Sequence, residues 1–251
     1  DFKIQQIDQW LAERRADGAT AAHTPAIQKQ VAAFLANPAD EVLREDLRQW
    51  LSALEQFYQY RGVAIYDRQG KLRLTSGAGS VAGEAEIQQH IQTALEKGEA
   101  FITDIHRYNS NGVVHMNLLV PLGEPGKDTL GILLFQMDPE KFLYPLLKSW
   151  PSASPSAETV LLRRDKDDVR FLNKVRHATN SALTQRLPIT PNSQTVAVMA
   201  AEGKVGHTEG VDYRGIPVLA AIRPVSGTTW IMVSKIDREE VYAPLEKEAA
   251  Q

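Results

Sequence analysis

The 251-residue chain contains no cysteine. This excludes disulfides, thiolate metal sites and a cysteine nucleophile, and it suits an oxidising compartment. No stretch approaches the run of about 20 apolar residues that a membrane-crossing helix needs, and the opening residues do not read as a signal peptide. Charge of one sign is scarce as well. With 28 Lys and Arg against 31 Asp and Glu, the net charge is −3, so no broad basic surface argues for nucleic acid. Familiar chemical signatures are missing. There is no Gly-x-Ser-x-Gly elbow and no His-Glu-x-x-His. Ser76-Gly77-Ala78-Gly79-Ser80 lacks the Gly-Lys-Ser/Thr of a phosphate loop and reads as a flexible loop. Asp165–Asp168 lacks calcium-loop spacing and reads as a hairpin tip. What remains is 43% hydrophobic and 24% charged, an ordinary globular composition long enough for one large or two small domains.

The chain repeats itself. Gly112–Pro121 (Gly-Val-Val-His-Met-Asn-Leu-Leu-Val-Pro) returns as Gly215–Pro224 (Gly-Ile-Pro-Val-Leu-Ala-Ala-Ile-Arg-Pro). Gly131–Asp138, an apolar strand closed by an acidic turn, returns as Trp230–Asp237. A period of roughly a hundred residues is domain-sized, far longer than a solenoid unit.

Residues 1–57 read as a helical region. Ile4, Ile7, Trp10 and Leu11 share a face, and Asp17-Gly18 is expected to interrupt the first helix. Thr24-Pro25 opens a second helix, and Asp40 caps a third with an apolar stripe of Val42, Leu43, Leu47, Trp50, Leu51, Leu54 and Phe57. The first module, 58–148, follows as a hairpin around Asp67-Arg68-Gln69-Gly70, a helix over 82–97, and strands at 100–108, 113–122 and 129–137. Asn111-Gly112 is a hairpin turn between the first two of these strands. Trp150–Ser156 is a Pro/Ser linker. The second module, 149–240, carries strands at 158–164, 169–174, 195–201, 205–213, 216–225 and 229–236, and an exit helix occupies 241–251. The order predicts an α+β fold: two PAS-like modules, each an antiparallel sheet of about five strands flanked by helices. The opening inside a helix, without Met, reads as an excised piece of a longer protein.

Facing follows from strand alternation. Closing the Asn-Gly hairpin puts Asp104, His106 and Tyr108 on one face with Val113, His115 and Asn117. Phe101, Ile105, Val114, Met116, Leu118 and Val120 then form a core face. In the first hairpin, Val63, Ile65, Leu72 and Leu74 share the apolar side and Tyr66, Arg73 and Thr75 the polar one. Gathered on one sheet, these polar groups make a site for a small polar ligand, with Arg73 pairing a carboxylate in bidentate fashion. The competing expectation is a plain solvated sheet face. A metal held by Asp104, His106 and His115 is a lesser alternative. So is an enzyme with a histidine base oriented by Asp104.

The sequence resembles the double Cache family, the tandem PAS-like (PDC) extracytoplasmic sensor domains of bacterial signalling receptors. The likeness lies in the helical lead into Val63-Ala-Ile-Tyr-Asp67-Arg-Gln-Gly70, in Thr103-Asp104 … Asn111-Gly112 … Leu119-Val-Pro121, and in the strands ending at Asp138 and Asp237. The segment Ser149-Trp-Pro through Ala157–Arg164 and Phe171-Leu-Asn173 is similar to a subgroup found ahead of histidine kinase, PAS and GGDEF outputs. The resemblance implies a periplasmic domain between two membrane helices. Ligand would bind in the membrane-distal first module, and the second would pass the signal to a histidine kinase. A diguanylate cyclase or chemoreceptor output, or a protein-interaction module with no small ligand, is the alternative. Amino-acid-binding members carry Arg-x-Trp-Tyr, which is absent here, and Tyr108 stands where their acidic residue falls. An organic acid bound by Arg73 and the histidines is therefore the expectation. The expected ligand set is Tyr66, Arg73, Thr75, Asp104, His106, Tyr108, His115 and Asn117, with no catalytic residue, metal or cofactor. A homodimer through Trp10 and Leu11 of the first helix is the expected assembly.

Overall fold

Nearly every apolar segment of the sequence finds a partner across an antiparallel ladder. A computed structural model describes residues 2–77, 84–107, 112–123, 129–150, 153–178 and 182–249. The chain divides into two units, Gln9–Pro139 and Asp1–Asp8 with Glu140–Gln251, here called the first and second modules. The helical region comprises α1 (Phe2–Ala22), α2 (Pro25–Ala36) and α3 (Glu41–Tyr58). The first sheet comprises β1 (Gly62–Asp67), β2 (Leu72–Thr75), β3 (Phe101–Ile102), β4 (His106–Arg107), β5 (Val114–Leu122) and β6 (Gly131–Met137), with α4 (Glu84–Lys97) between β2 and β3. The second module continues with α5 (Leu143–Lys148), β7 (Glu158–Asp165), β8 (Asp168–Phe171), β9 (Arg186–Pro188), α6 (Val196–Ala201), β10 (Gly206–Val211), β11 (Pro217–Pro224), β12 (Trp230–Asp237) and α7 (Arg238–Ala249).

The strand order in the first sheet is β2-β1-β6-β5-β3, with β4 continuing along β5 beyond β3. The second sheet runs β10-β11-β12-β7-β8-β9. Read from the hairpin inward, both have the same plan: second strand, first strand, last strand, then the strand before it. The sequence repeat is thus a repeat of topology, and the fold is α+β with two antiparallel PAS-like sheets.

Several local expectations are corrected. Asp17-Gly18 does not interrupt α1, which runs unbroken through it. Gly18 is needed for close approach. A Cβ there would lie 2.8 Å from both Leu118 Cδ2 and Val120 Cγ2, so the helix backbone presses directly on the sheet. Asp40 caps α3 as expected, accepting from the Leu43 N–H at 3.0 Å. Thr24 does not cap α2 with its side chain; its hydroxyl donates back to the Thr20 carbonyl at 2.8 Å. Leu47 and Leu51 carry the α3 stripe into the core, while its ends, Val42 and Phe57, are exposed. The expected strand at 195–201 is a helix, α6, whose apolar residues are nearly all buried. A short apolar run does not separate strand from helix by periodicity. The polar stretch before it holds an edge strand, β9, paired to β8.

Facing differs most. One extra residue enters β2, so Ile65 pairs with Leu74 but Tyr66 pairs with Leu72. This bulge turns Leu72 to the side of Tyr66 and leaves Arg73 between the two registers. Phe101 pairs with Leu119 rather than joining the Leu118 face. Both faces of the sheet are buried: β1, β5 and β6 are covered along almost their whole length. On one face Ala64, Tyr66, Leu119, Ile132 and Leu134 pack against Ile87, Ile91 and Ala94 of α4. On the other, Leu118, Val120 and Phe135 meet α1 at Gly18. The solvated face expected from alternation is therefore a second core face.

Gly18→Ala is expected to destabilise the first module despite the better helix propensity of alanine, which favours it by about 1 kcal/mol. Overpacking against Leu118 and Val120 should cost about 1–3 kcal/mol, read as a lower denaturation midpoint at unchanged slope.

Candidate ligand site

The α4-facing surface of the first sheet is apolar until its last rows. Gln136 pairs with Asn117 across β6 and β5, and His115 pairs with His106 across β5 and β4. These rows place polar groups where an all-apolar core would otherwise end. His115 and Asn117 have no solvent exposure and Gln136 is nearly buried. His106 is half-buried.

Local breaks in the strand build this end. The ladder stops after Ile102. Thr103 then exchanges two bonds with Asn117: its N–H donates to the Asn117 carbonyl at 2.8 Å, and its hydroxyl accepts from the Asn117 N–H at 2.8 Å. The Asp104 carboxylate accepts from the Ile105 N–H at 2.9 Å, and pairing resumes at His106. The two imidazole rings meet edge to face with centroids 4.3 Å apart. His106 Nδ1 sits 2.8 Å from the Asp104 carbonyl, and His115 Nδ1 sits 3.0 Å from the Val113 carbonyl. A carbonyl can only accept, so both Nδ1 atoms carry the proton, and each Nε2 is an acceptor in the neutral ring. Burial first, then the charges of His106 and Arg61, hold the His115 pKa down at about 3 against the opposing pull of the Val113 carbonyl. His115 is therefore neutral at physiological pH.

A third histidine joins them. His90 of α4 stacks near His106 with centroids 6.2 Å apart and near Phe101 at 6.0 Å. It follows Ile87 by three residues and adjoins Ile91, both facing the sheet, so its helical position was a usable signal. Arg61, just ahead of β1, pairs with Asp138 at 2.7 Å. Its Nε is buried and makes no hydrogen bond among the described residues. Gln136 and Arg61 were missed because a lone polar residue in an apolar strand and a residue before a strand carry no period.

The expected ligand residues separate into two groups. His106, His115 and Asn117 come together. Asp104 adjoins them, but His106 Nδ1 bonds its backbone carbonyl, so the carboxylate does not orient that nitrogen. Tyr66, Arg73 and Thr75 lie at the other corner of the sheet. The Tyr66 row reaches β5 at Pro121, six residues from His115, which is about 20 Å along the strand. Tyr66 is a core residue of the α4 face. The Thr75 hydroxyl donates to the Gly77 carbonyl at 3.3 Å. Arg73 is engaged within its own hairpin, with Nε and a terminal nitrogen each 2.6 Å from Asp67 Oδ2. Burial works against the Asp67 charge, but the Lys71 N–H, Arg73 and the Gln69 N–H outweigh it and hold the carboxyl below its ordinary pKa. Tyr108 and Ala78–Ser80 lie outside the described residues. Among the described residues, no group of three or more His, Cys, Asp or Glu side chains is placed to hold a metal ion.

No known family profile matches the sequence, and no curated protein matches it. Solved structures do. The ligand-binding domain of the Pseudomonas aeruginosa amino-acid chemoreceptor PctB, in complex with L-Gln, has a TM-score of 0.64 at 13% identity, covering 99% of this chain and 94% of that one. The extracellular domain of the putative histidine kinase mmHK1S-Z2 gives 0.63 at 15% identity, covering 94% of each. The Pseudomonas fluorescens chemoreceptor CtaA ligand-binding domain, in complex with L-serine, gives 0.61 at 13% identity over 95% and 93%. The chain has the double Cache fold. The likeness to each of these structures covers both modules. Among the described residues no helix is long and apolar enough to cross a membrane.

Unfolded, His115 takes up its proton near pH 6.5; folded, it does so only near 3. Between these values the unfolded state binds more protons, so the contribution is fully present above pH 6.5 and is lost as pH falls toward 3. His115→Gln should flatten the wild-type slope over this window by up to about 1.4 kcal/mol per pH unit. Paired denaturation curves from pH 7 to 4 measure it, and equal slopes in both proteins would remove His115 as the cause.

Proposed function

We propose that this chain is the extracytoplasmic ligand-sensing domain of a membrane receptor, of the sensor histidine kinase type, and that it binds a small polar molecule in the first module. The observation that carries the reading is the polar end of an otherwise apolar interior, where His115, Asn117 and Gln136 are buried beside His106. A double Cache fold shared with sensor domains of chemoreceptors and a kinase supports the receptor assignment.

The neutral imidazole of His115 offers its Nε2 as an acceptor to an ammonium, hydroxyl or amide of the ligand. A carboxylate on the same ligand meets Arg61, whose charge already acts on His115 and whose buried Nε–H has no acceptor among the described residues. Arg61 takes the role that the sequence suggested for Arg73. The first module is membrane-distal in this reading and the second relays the signal. Leu11 is buried within its own chain, so a homodimer would use other residues of α1.

A thermal-shift and calorimetry panel of amino acids, 4-aminobutyrate and small carboxylates tests the reading. Ligand at a hundred times its dissociation constant should add about 2.7 kcal/mol to stability. Affinity should drop at least tenfold in His106→Ala and in Arg61→Gln. A hit that survives both substitutions would place the ligand elsewhere. Arg73→Ala is expected to keep the binding and to cost about 1–3 kcal/mol of stability, because Asp67 loses its cation. Loss of binding in Arg73→Ala at unchanged stability would restore the earlier assignment.

A further inference from the structure

The sheet position that carries Gln136 in the first module carries Lys235 in the second. Both are the next-to-last residue before the acidic residue that ends the last strand's repeat, Asp138 and Asp237. Both pair on one side with the module's first strand and on the other with the strand before the last. Gln136 pairs with Gly62 and Asn117, and Lys235 with Glu158 and Ala220. Glu158, Val160 and Leu162 alternate on the face that packs against α6, and Lys235 shares it with Val233. The side chain of Lys235 is 2% exposed.

Its ammonium has a cage. Asp212 Oδ2 accepts from Nζ at 2.7 Å, and Glu158 Oε2 lies 2.9 Å from it. The Tyr213 ring centroid is 5.0 Å away on a third side. Each wall is itself fixed. The Tyr213 hydroxyl donates to Glu158 Oε2 at 3.0 Å, and the Tyr213 ring stands edge-on to Phe171 with centroids 5.8 Å apart. Arg214 donates to Asp212 Oδ2 from Nε at 2.7 Å and also pairs with Asp237. The Arg176 N–H donates to Glu158 Oε1. Burial opposes the Asp212 charge, but Arg214 and Lys235 hold its carboxyl below the ordinary value. Two carboxylates and an aromatic face are what a compact, strongly hydrated ammonium needs when it leaves water. Glu158 also lines a cavity of about 580 Å³ with Trp150, Asn173 and Arg176.

We propose that the second module contains a binding site for a primary alkylammonium group and that the chain fills it with its own Lys235. The second module is then a closed element, with its interior polar site satisfied from within, while the first module keeps its site for an external molecule. The inference rests on the second module alone and is independent of what the first one binds.

Lys235→Ala deletes the three methylenes and the ammonium beyond Cβ, a fragment matched by n-propylammonium. In the 251-residue chain, the variant should melt below wild type. Millimolar n-propylammonium should raise its melting temperature by several degrees, with tetramethylammonium and 1-propanol inactive and wild type unaffected. Equal responses of variant and wild type, or of variant to n-propylammonium and tetramethylammonium, would overturn the proposal. If Lys235→Ala does not fold, Lys235→Met keeps the bulk without the charge. It should be less stable than wild type and should regain stability when Asp212→Asn is added. Lys235→Met as stable as wild type, or no gain in the double variant, would likewise overturn it.

Discussion

Each module closes when its first strand pairs with its last. In the first module Gly62–Asp67 lies against Gly131–Gln136, and in the second Glu158–Arg163 lies against Trp230–Lys235. This ladder is central in both sheets, with the opening hairpin on one side and the preceding long strand on the other. In the first module these strands are buried on both faces, and their sequences are near-continuous apolar runs rather than alternating ones. The helices then have fixed surfaces to cover: α4 and α6 lie on one face of their respective sheets, and α1 presses on the other face of the first. In the first module no row of these strands faces water, so a polar residue within them must be paired or functional.

That constraint explains why polar residues in the core are informative here. In the first module the polar rows hold the amides of Asn117 and Gln136 and the neutral imidazole of His115, which can donate or accept without a full charge. In the second the same position holds a lysine, and it persists only because two carboxylates and a ring surround it. Removing one member of such a buried network is costly, on the order of 3–5 kcal/mol, since a charge would be left without its partner. One topology thus carries amides at this position in one module and a buried charge network in the other.

The tandem plan was legible in the sequence because the Gly-to-Pro strand and the following acidic turn occur twice. The long strands, the Asp40 cap and the tip at Asp165–Asp168 followed from local chemistry, and Asp165 does pair with Asp168 across that tip. What failed depended on register. The bulge at Arg73 turned Leu72 over, and the break at Thr103–Ile105 was hidden inside an apparently continuous strand. Gly18 looked like an interruption because propensity is local, whereas its role is set by Leu118 and Val120, which lie far along the chain. At the site, strand alternation put His106, His115 and Asn117 on one face, and the ladder pairs His106 with His115. His90 and Arg61 arrive from other elements, and only the packed fold brings them near.

The beginning of the chain has its own dependence on distance. The Lys3 ammonium donates to the carbonyls of Leu146 and Leu147 at 3.2 and 2.8 Å and also bonds that of Ser149, closing the end of α5. During synthesis, at about 5–20 residues per second, these carbonyls emerge about 7–30 seconds after Lys3 does. The start of α1 therefore passes that interval without its final partners. A nascent chain halted before residue 146 would therefore leave the Lys3 ammonium to water or to whatever carbonyls lie nearby, and the first turn of α1 without its fastening.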